Sequence, residues 1–182
     1  MIGRNLCYKN WAFHPCILLA WKKNLTMTKP ELERAIMTQE LWVDILPWRN
    51  DPLVYVWSRT NRPISPNEHN AWFETRKQKL ADEPIFSYHE NNLFVGMARI
   101  DKVAKDTLEV SLLVNPNQRS GGHGKQILAD VCKYFLLKES PDSKLIAVIH
   151  QDNLISQSLF TGLGFNPMSV QKHFKTFIFS RV

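Results

Sequence analysis

The chain has 182 residues, 44% of them hydrophobic and 22% charged, which suits one globular domain and excludes a largely disordered chain. Its net charge of +6 suggests nucleic acid, yet residues 1–30 hold five bases and no acid while residues 31–182 hold 18 bases and 17 acids, so the body is nearly neutral and no nucleic-acid partner is expected. The three cysteines, Cys7, Cys16 and Cys132, form no CxxC pair and no His/Cys cluster of zinc spacing, so no metal is expected and free thiols are favoured over a Cys7–Cys16 disulfide.

In chain order, residues 1–29 read as an N-terminal extension, with initiation at Met27 or Met37 as the simpler account of it. Its apolar run from Cys16 to Trp21 is far shorter than the roughly 20 residues a membrane span needs. His14 and Pro15 interrupt any signal-peptide core. No transmembrane segment and a cytoplasmic location are therefore expected. Residues 30–182 read as one domain. Arg34 to Met37 suits a short strand, and Thr38 can cap a helix running towards Trp48. Asp51 to Arg59 looks like a second short helix. Ser65-Pro66-Asn67-Glu68 then opens a helix to about Lys79, with Ser65 as cap, Pro66 in the first turn and Glu68 closing a capping box.

Strands follow. Pro84 to Glu90 and Leu93 to Ile100 flank Asn91-Asn92, a hairpin turn signal. Leu108 to Val114 is mostly apolar and reads as a strand buried on both faces. From Gly122 to Lys138 the period becomes helical, with Ile127, Leu128, Val131, Tyr134 and Phe135 on one face. Lys144 to Ile149 suits a strand, Asn153 to Leu163 a helix and Lys172 to Ser180 a last strand. This order mixes antiparallel and parallel pairing around one sheet.

The chemistry-bearing stretch is Val114-Asn-Pro-Asn-Gln-Arg-Ser-Gly-Gly-His-Gly-Lys125. A strand ends, a glycine-rich loop follows and a helix starts. Glycines let backbone amides approach a ligand, and a helix N-terminus adds unpaired N–H groups, so the stretch can cradle a pyrophosphate. A plain turn before a helix would look similar. The spacing fits neither a Walker loop nor a Rossmann fingerprint.

Arg119-x-x-Gly122-x-Gly124 resembles the acetyl-CoA signature Arg/Gln-x-x-Gly-x-Gly/Ala of the GNAT acetyltransferase superfamily. Asn153-Leu-Ile-Ser156-Gln-Ser-Leu-Phe160-Thr-Gly-Leu-Gly164-Phe165 resembles its second motif. The resemblance implies a single α/β (α+β) domain: a mixed, mostly antiparallel sheet, helices on both faces and a splay between the fourth and fifth strands. It implies that amides of Arg119, Ser120, Gly121, Gly122, His123, Gly124 and Lys125 hold the pyrophosphate of acetyl-CoA. An amide of Leu113 or Val114 would face the thioester oxygen. Asn153, Ser156 and Phe160 would line the pantetheine arm. Many relatives carry a tyrosine where this chain has Phe160, and that hydroxyl protonates the leaving thiolate. Glu109 is the candidate general base and His150 the second candidate, each weighed against a structural role.

The front half bears on the acceptor. Trp48-Arg49-Asn50-Asp51-Pro52…Trp57 with Ile64-Ser-x-x-Glu68-His69-x-x-Trp72 looks like the ribosomal-protein-acetylating branch of that superfamily. It is more closely similar to the nucleotide-sugar N-acetyltransferases of pseudaminic acid biosynthesis. Arg49, Trp57, His69 and Trp72 are the residues this assigns to substrate. Arg49 and Arg59 could meet phosphate, and the two tryptophans could offer flat faces, unless they are core. The expected reaction is direct acetyl transfer to the 4-amino group of a UDP-linked amino sugar, with room for a homodimer. A protein N-terminal or other small amine is the second reading, and a non-catalytic acyl-CoA-binding module the third.

Overall fold

The structure is a computed structural model that describes residues 31–179. Expectations for residues 1–29, for Cys7 and Cys16 and for Ser180 lie outside the described residues.

The chain enters through strand β1 (Glu33–Ile36) and then makes a run of short helices. Thr38 caps α1 (Gln39–Asp44). The helix expected to continue to Trp48 instead breaks at Ile45, and α2 (Leu46–Arg49) starts anew. Pro47 explains the break: it has no N–H to donate, and its ring would clash with the carbonyl one turn earlier. Asp51 caps α3 (Pro52–Tyr55), a single turn where a helix to Arg59 was expected.

Ser65 Oγ accepts from Glu68 N at 3.2 Å and opens α4 (Pro66–Lys77). The Glu68 carboxylate is held below its ordinary pKa by Arg62 first, and also by the Ser65 backbone N–H of the expected capping box.

Strands β2 (Ile85–Glu90) and β3 (Leu93–Ala104) form a hairpin. Asn91 and Asn92, at φ 51 and 65, make its turn. Two left-handed residues match the twist of the flanking strands, which is why this dipeptide type recurs in such turns. Strand β4 (Thr107–Val114), helix α5 (His123–Lys138), strand β5 (Lys144–His150) and helix α6 (Leu154–Thr161) follow. Two further strands, β6 (Phe165–Gln171) and β7 (Phe174–Phe179), close the chain as an antiparallel pair.

The sheet has seven strands in the order β1-β2-β3-β4-β5-β7-β6, and only β4–β5 is parallel. One face packs Leu108, Val110, Leu145, Ala147 and Phe177 against Ile127, Leu128, Val131 and Phe135 of α5 and Phe160 of α6. The other packs Ile85 and Met97 against Met37, Trp42, Ile45 and Phe73 from the α1–α4 side. Helices thus cover both faces. Among the described residues, no helix is long and apolar enough to cross a membrane.

Candidate active site

Parallel pairing between β4 and β5 is brief. It runs from Thr107↔Lys144 to Glu109↔Ile146 and then stops. Beyond that point β4 stays paired with β3 as far as Val114↔Gly96, and β5 with β7 as far as His150↔Phe174. The two strands therefore part like a fork, as expected. The cleft in the fork is lined by Val110–Leu112 on one side and Ala147–His150 on the other, with Trp57, Asn153, Ser156 and Phe160 around it.

The register decides which amides face the cleft. Asn115 N donates to Val95 O of β3 at 2.9 Å. N–H directions alternate along a strand. So the amides of Leu112 and Val114 point towards the fork, and that of Leu113 points to β3. Of the two residues expected to face the thioester oxygen, only Val114 turns its amide towards the fork. The same alternation sends Glu109, Ser111 and Leu113 to the α1–α4 face, where Leu113 packs beside Trp42 and Met97.

The glycine-rich loop sits at the open end of the fork. A one-turn 3₁₀ segment at Pro116–Gln118 leads out of β4. Ser120 and Gly122 then take left-handed conformations at φ 63 and 79 and turn the backbone into the start of α5. A left-handed Gly122 carries no Cβ penalty. His123 and Gly124 follow as the first residues of the helix, where N–H groups have no carbonyl one turn back. Lys125 differs: its amide already donates to Gly122 O at 3.1 Å.

Two side chains of this loop act as struts. Arg119 pairs with Asp51 at 2.7 Å, tying the loop to the start of α3. Asp51 sits below its ordinary pKa, chiefly because it accepts from Leu53 N and further because of Arg119. His123 is 4% exposed, with Nδ1 3.0 Å from Gln118 O and Nε2 3.3 Å from a Glu90 carboxylate oxygen. It braces the loop from inside and does not present its ring to a ligand.

Glu109 is 6% exposed, and both its oxygens accept from one Arg59 nitrogen, at 2.8 and 2.9 Å. Arg59 was expected to meet phosphate; here it serves the carboxylate. His150 lines the cleft from the end of β5. Its Nδ1 accepts from Asp152 N at 3.2 Å, and its ring lies 5.2 Å from Trp57 and 6.1 Å from His173. Asn153 Oδ1 accepts from Ser156 N at 3.1 Å and caps α6. Phe160 is 4% exposed and meets Phe165 edge-on at 4.9 Å. No hydroxyl stands there, so the proton for a leaving thiolate has no source at that position.

On the acceptor side the expectations divide. Trp57 does line the cleft. His69 does not: it is 2% exposed, stacks on Trp42 at 4.3 Å, and donates from Nε2 to Trp42 O at 2.7 Å. Burial, then the Arg49 charge, push its pKa down against that hydrogen bond. Its place is the core. Trp72 stacks on Trp42 at 5.1 Å, and the Arg99 and Arg76 guanidinium groups lie 4.9 and 5.4 Å from its ring. Its faces are thus already covered. Arg49 lies on α2, which packs on β4, and it donates to Thr60 Oγ1 at 3.0 Å. Arg99, which shares a face of β3 with Met97, is a partner of Trp72 that the sequence did not single out.

The family model described as "Acetyltransferase (GNAT) domain" matches residues 34–166. No curated protein matches the chain at a significant level. Solved structures share the fold. An N-acetyltransferase from Staphylococcus aureus Mu50 aligns at 22% identity over 82% of this chain and 97% of its own, with a TM-score of 0.62. A ribosomal-protein-alanine N-acetyltransferase from Brucella melitensis aligns at 20% identity over 80% and 96%, with a TM-score of 0.65. AAC(6')-Ib, solved with ribostamycin and coenzyme A, aligns at 12% identity over 84% and 94%, with a TM-score of 0.70.

Proposed function

The chain belongs to the GNAT acetyltransferase family, and from that premise we propose that it moves acetyl from acetyl-CoA to the 4-amino group of a nucleotide-linked amino sugar. The observation that supports this most is the fork between β4 and β5, which opens directly onto the glycine-rich loop. Acetyl-CoA supplies an acetyl group activated as a thioester.

The residues present suit such a donor. The amides of His123 and Gly124 at the start of α5, with the turn through Arg119, Ser120, Gly121 and Gly122, would hold a pyrophosphate. The amides of Leu112 and Val114 offer an extended arm a strand edge to pair with. Val114 N–H would take charge from the carbonyl oxygen as it becomes an oxyanion. Asn153 would use its amide nitrogen, since its oxygen caps α6; Ser156 and Phe160 would shape the wall beside it.

Glu109 would take the proton of the amine. Arg59 spends a single donor on both its oxygens, and a carboxylate has about four lone-pair sites, so some remain for a proton. His150 is less suited to that task, because Nδ1 is occupied and the neutral ring then carries its proton on Nε2. A ring amine flanked by oxygens is less basic than lysine and asks little of a base. Most of the rate would come from holding amine and thioester together.

The test is release of free coenzyme A thiol with UDP-linked amino sugars, N-terminal peptides and polyamines offered in parallel. Turnover is expected with a UDP-linked 4-amino sugar. Turnover with peptides alone would make the chain a protein N-acetyltransferase instead.

A further inference from the structure

Glu109 has no open path of its own to an acceptor. Its carboxylate is buried, and one Arg59 nitrogen donates to both of its oxygens. At Glu109 the strand is still paired on both edges, with Asp101 of β3 and Ile146 of β5. The fork opens one residue later. Val110, Ser111 and Leu112 line it, and Glu109 does not. A base must lie within hydrogen-bond reach of the proton it takes, or one bridging group away.

Ser111 is placed to be that group. Side chains alternate along a strand, so Ser111 shares the α1–α4 face with Glu109, while Val110 between them points to α5. Two residues of rise separate the pair by about 6.8 Å at the backbone. The long glutamate side chain spans much of that gap, and the serine hydroxyl, with one water where needed, spans the rest. Ser111 is half-buried, and its hydroxyl has no hydrogen-bond partner among the described residues. A hydroxyl both donates and accepts, which a relay requires. Other groups nearby are engaged or distant. Ser58 and Thr60, on either side of Arg59, hydrogen-bond to each other at 2.9 Å. His150 stands four residues beyond the last β4–β5 pair, about 13 Å further along its strand.

We propose that Ser111 relays the proton of the acceptor amine to Glu109. The proposal rests on reading Glu109 as the base of acetyl transfer at the fork. As the amine nitrogen bonds to the thioester carbon, its proton passes to Ser111 Oγ and the Oγ proton passes to a Glu109 oxygen. The C–S bond then breaks, its electron pair leaves with sulfur, and coenzyme A departs as the thiolate. Ser111 ends as it began, and Glu109 ends protonated. Arg59 spends one nitrogen on the carboxylate, so lone pairs remain for that proton.

The experiment is single-turnover acetyl transfer by the full-length chain. The acceptor is whichever turns over fastest among UDP-linked amino sugars, N-terminal peptides and polyamines. Ser111→Ala should slow transfer by about tenfold to a hundredfold, less than loss of the base itself, because water stands in for the hydroxyl. Coenzyme A affinity, read by calorimetry, should not move. Ser111→Thr keeps a hydroxyl on the same carbon and should recover most of the loss. In a Glu109→Gln background, Ser111→Ala should cost little more, because groups that act as one chain are not additive. A merely structural serine would multiply its cost with that of Glu109→Gln. If Glu109→Gln is slow but Ser111→Ala matches the parent, or if the two costs multiply, the relay alone is overturned. If Glu109→Gln matches the parent, the base reading falls and the relay with it. Transfer to none of the acceptors would overturn both as well.

Discussion

At the scale of single residues the loop and Glu109 carry the sharpest expectations. An added Cβ on Gly124 would sit 3.4 Å from Leu159 Cδ2 and 3.6 Å from Val114 Cγ2, which is ordinary contact. Gly124→Ala should therefore bind coenzyme A nearly as the parent does. Gly124→Val adds two methyl groups to a position already in contact with Leu159 and Val114, so the start of α5 must shift and coenzyme A should weaken by about tenfold or more. Calorimetry with coenzyme A on both variants checks this, and equal affinities would count against the cradle. Glu109→Gln should slow single-turnover acetyl transfer towards the low end of the roughly 10²–10⁴-fold range for a positioned base. Coenzyme A affinity should not move, and the deficit should shrink at high pH. A variant matching the parent across the range would remove Glu109 from the reaction. Gly124 was legible in the sequence because it sits inside a motif, and Glu109 because it lies on the strand that leads into that motif. The ion pairs around them were not, because Arg59 lies 50 residues from Glu109 and Asp51 lies 68 from Arg119, which leaves no local trace.

Elements were legible where local chemistry dictates them. The Asn91-Asn92 turn is one such case, and it can be tested alone. Alanine in a left-handed position is strained by about 1 kcal/mol. Asn92→Ala should thus lower the thermal midpoint by about 2–4 °C, while Asn92→Gly should hold or raise it. A neutral alanine variant would mean the turn relaxes to another type. Strand β6 shows the opposite. Pro167 sits inside it, and its residues beyond Phe165 are exposed, so neither composition nor alternation announced a strand. It exists because it is the sheet's edge, where a missing N–H faces no neighbour and a bulge near Pro167–Ser169 is tolerated. The break at Ile45 was readable from Pro47, although the helix expected from the Thr38 cap ran on towards Trp48.

At the scale of the whole molecule, the pH dependence of stability follows from the core on the α1–α4 face. His69 is buried there and resists protonation below its ordinary value of 6.5. The unfolded chain takes up that proton as pH falls through about 6.5, and the folded chain only at a lower pH. The unfolded state then binds more protons, so stability is full above that pH and declines below it. Thermal midpoints measured from about pH 5 to 7.5 should fall on acidification, and His69→Phe should flatten that fall even if it lowers the plateau. An unchanged slope would show that His69 titrates alike in both states.

The sequence by itself determined the family, the loop that opens α5, the order of most elements and the carboxylate on β4. Each of those is written in neighbouring residues: a turn dipeptide, a cap, a glycine spacing, a period of 2 or 3.6. Only the tertiary structure decided which amides of β4 face the fork, that His69 and Trp72 belong to packing, and that Glu109 comes with Arg59. The reason is physical. Backbone direction follows from register across strands, and burial from packing across layers. Both depend on residues far apart in sequence, which no local pattern can encode.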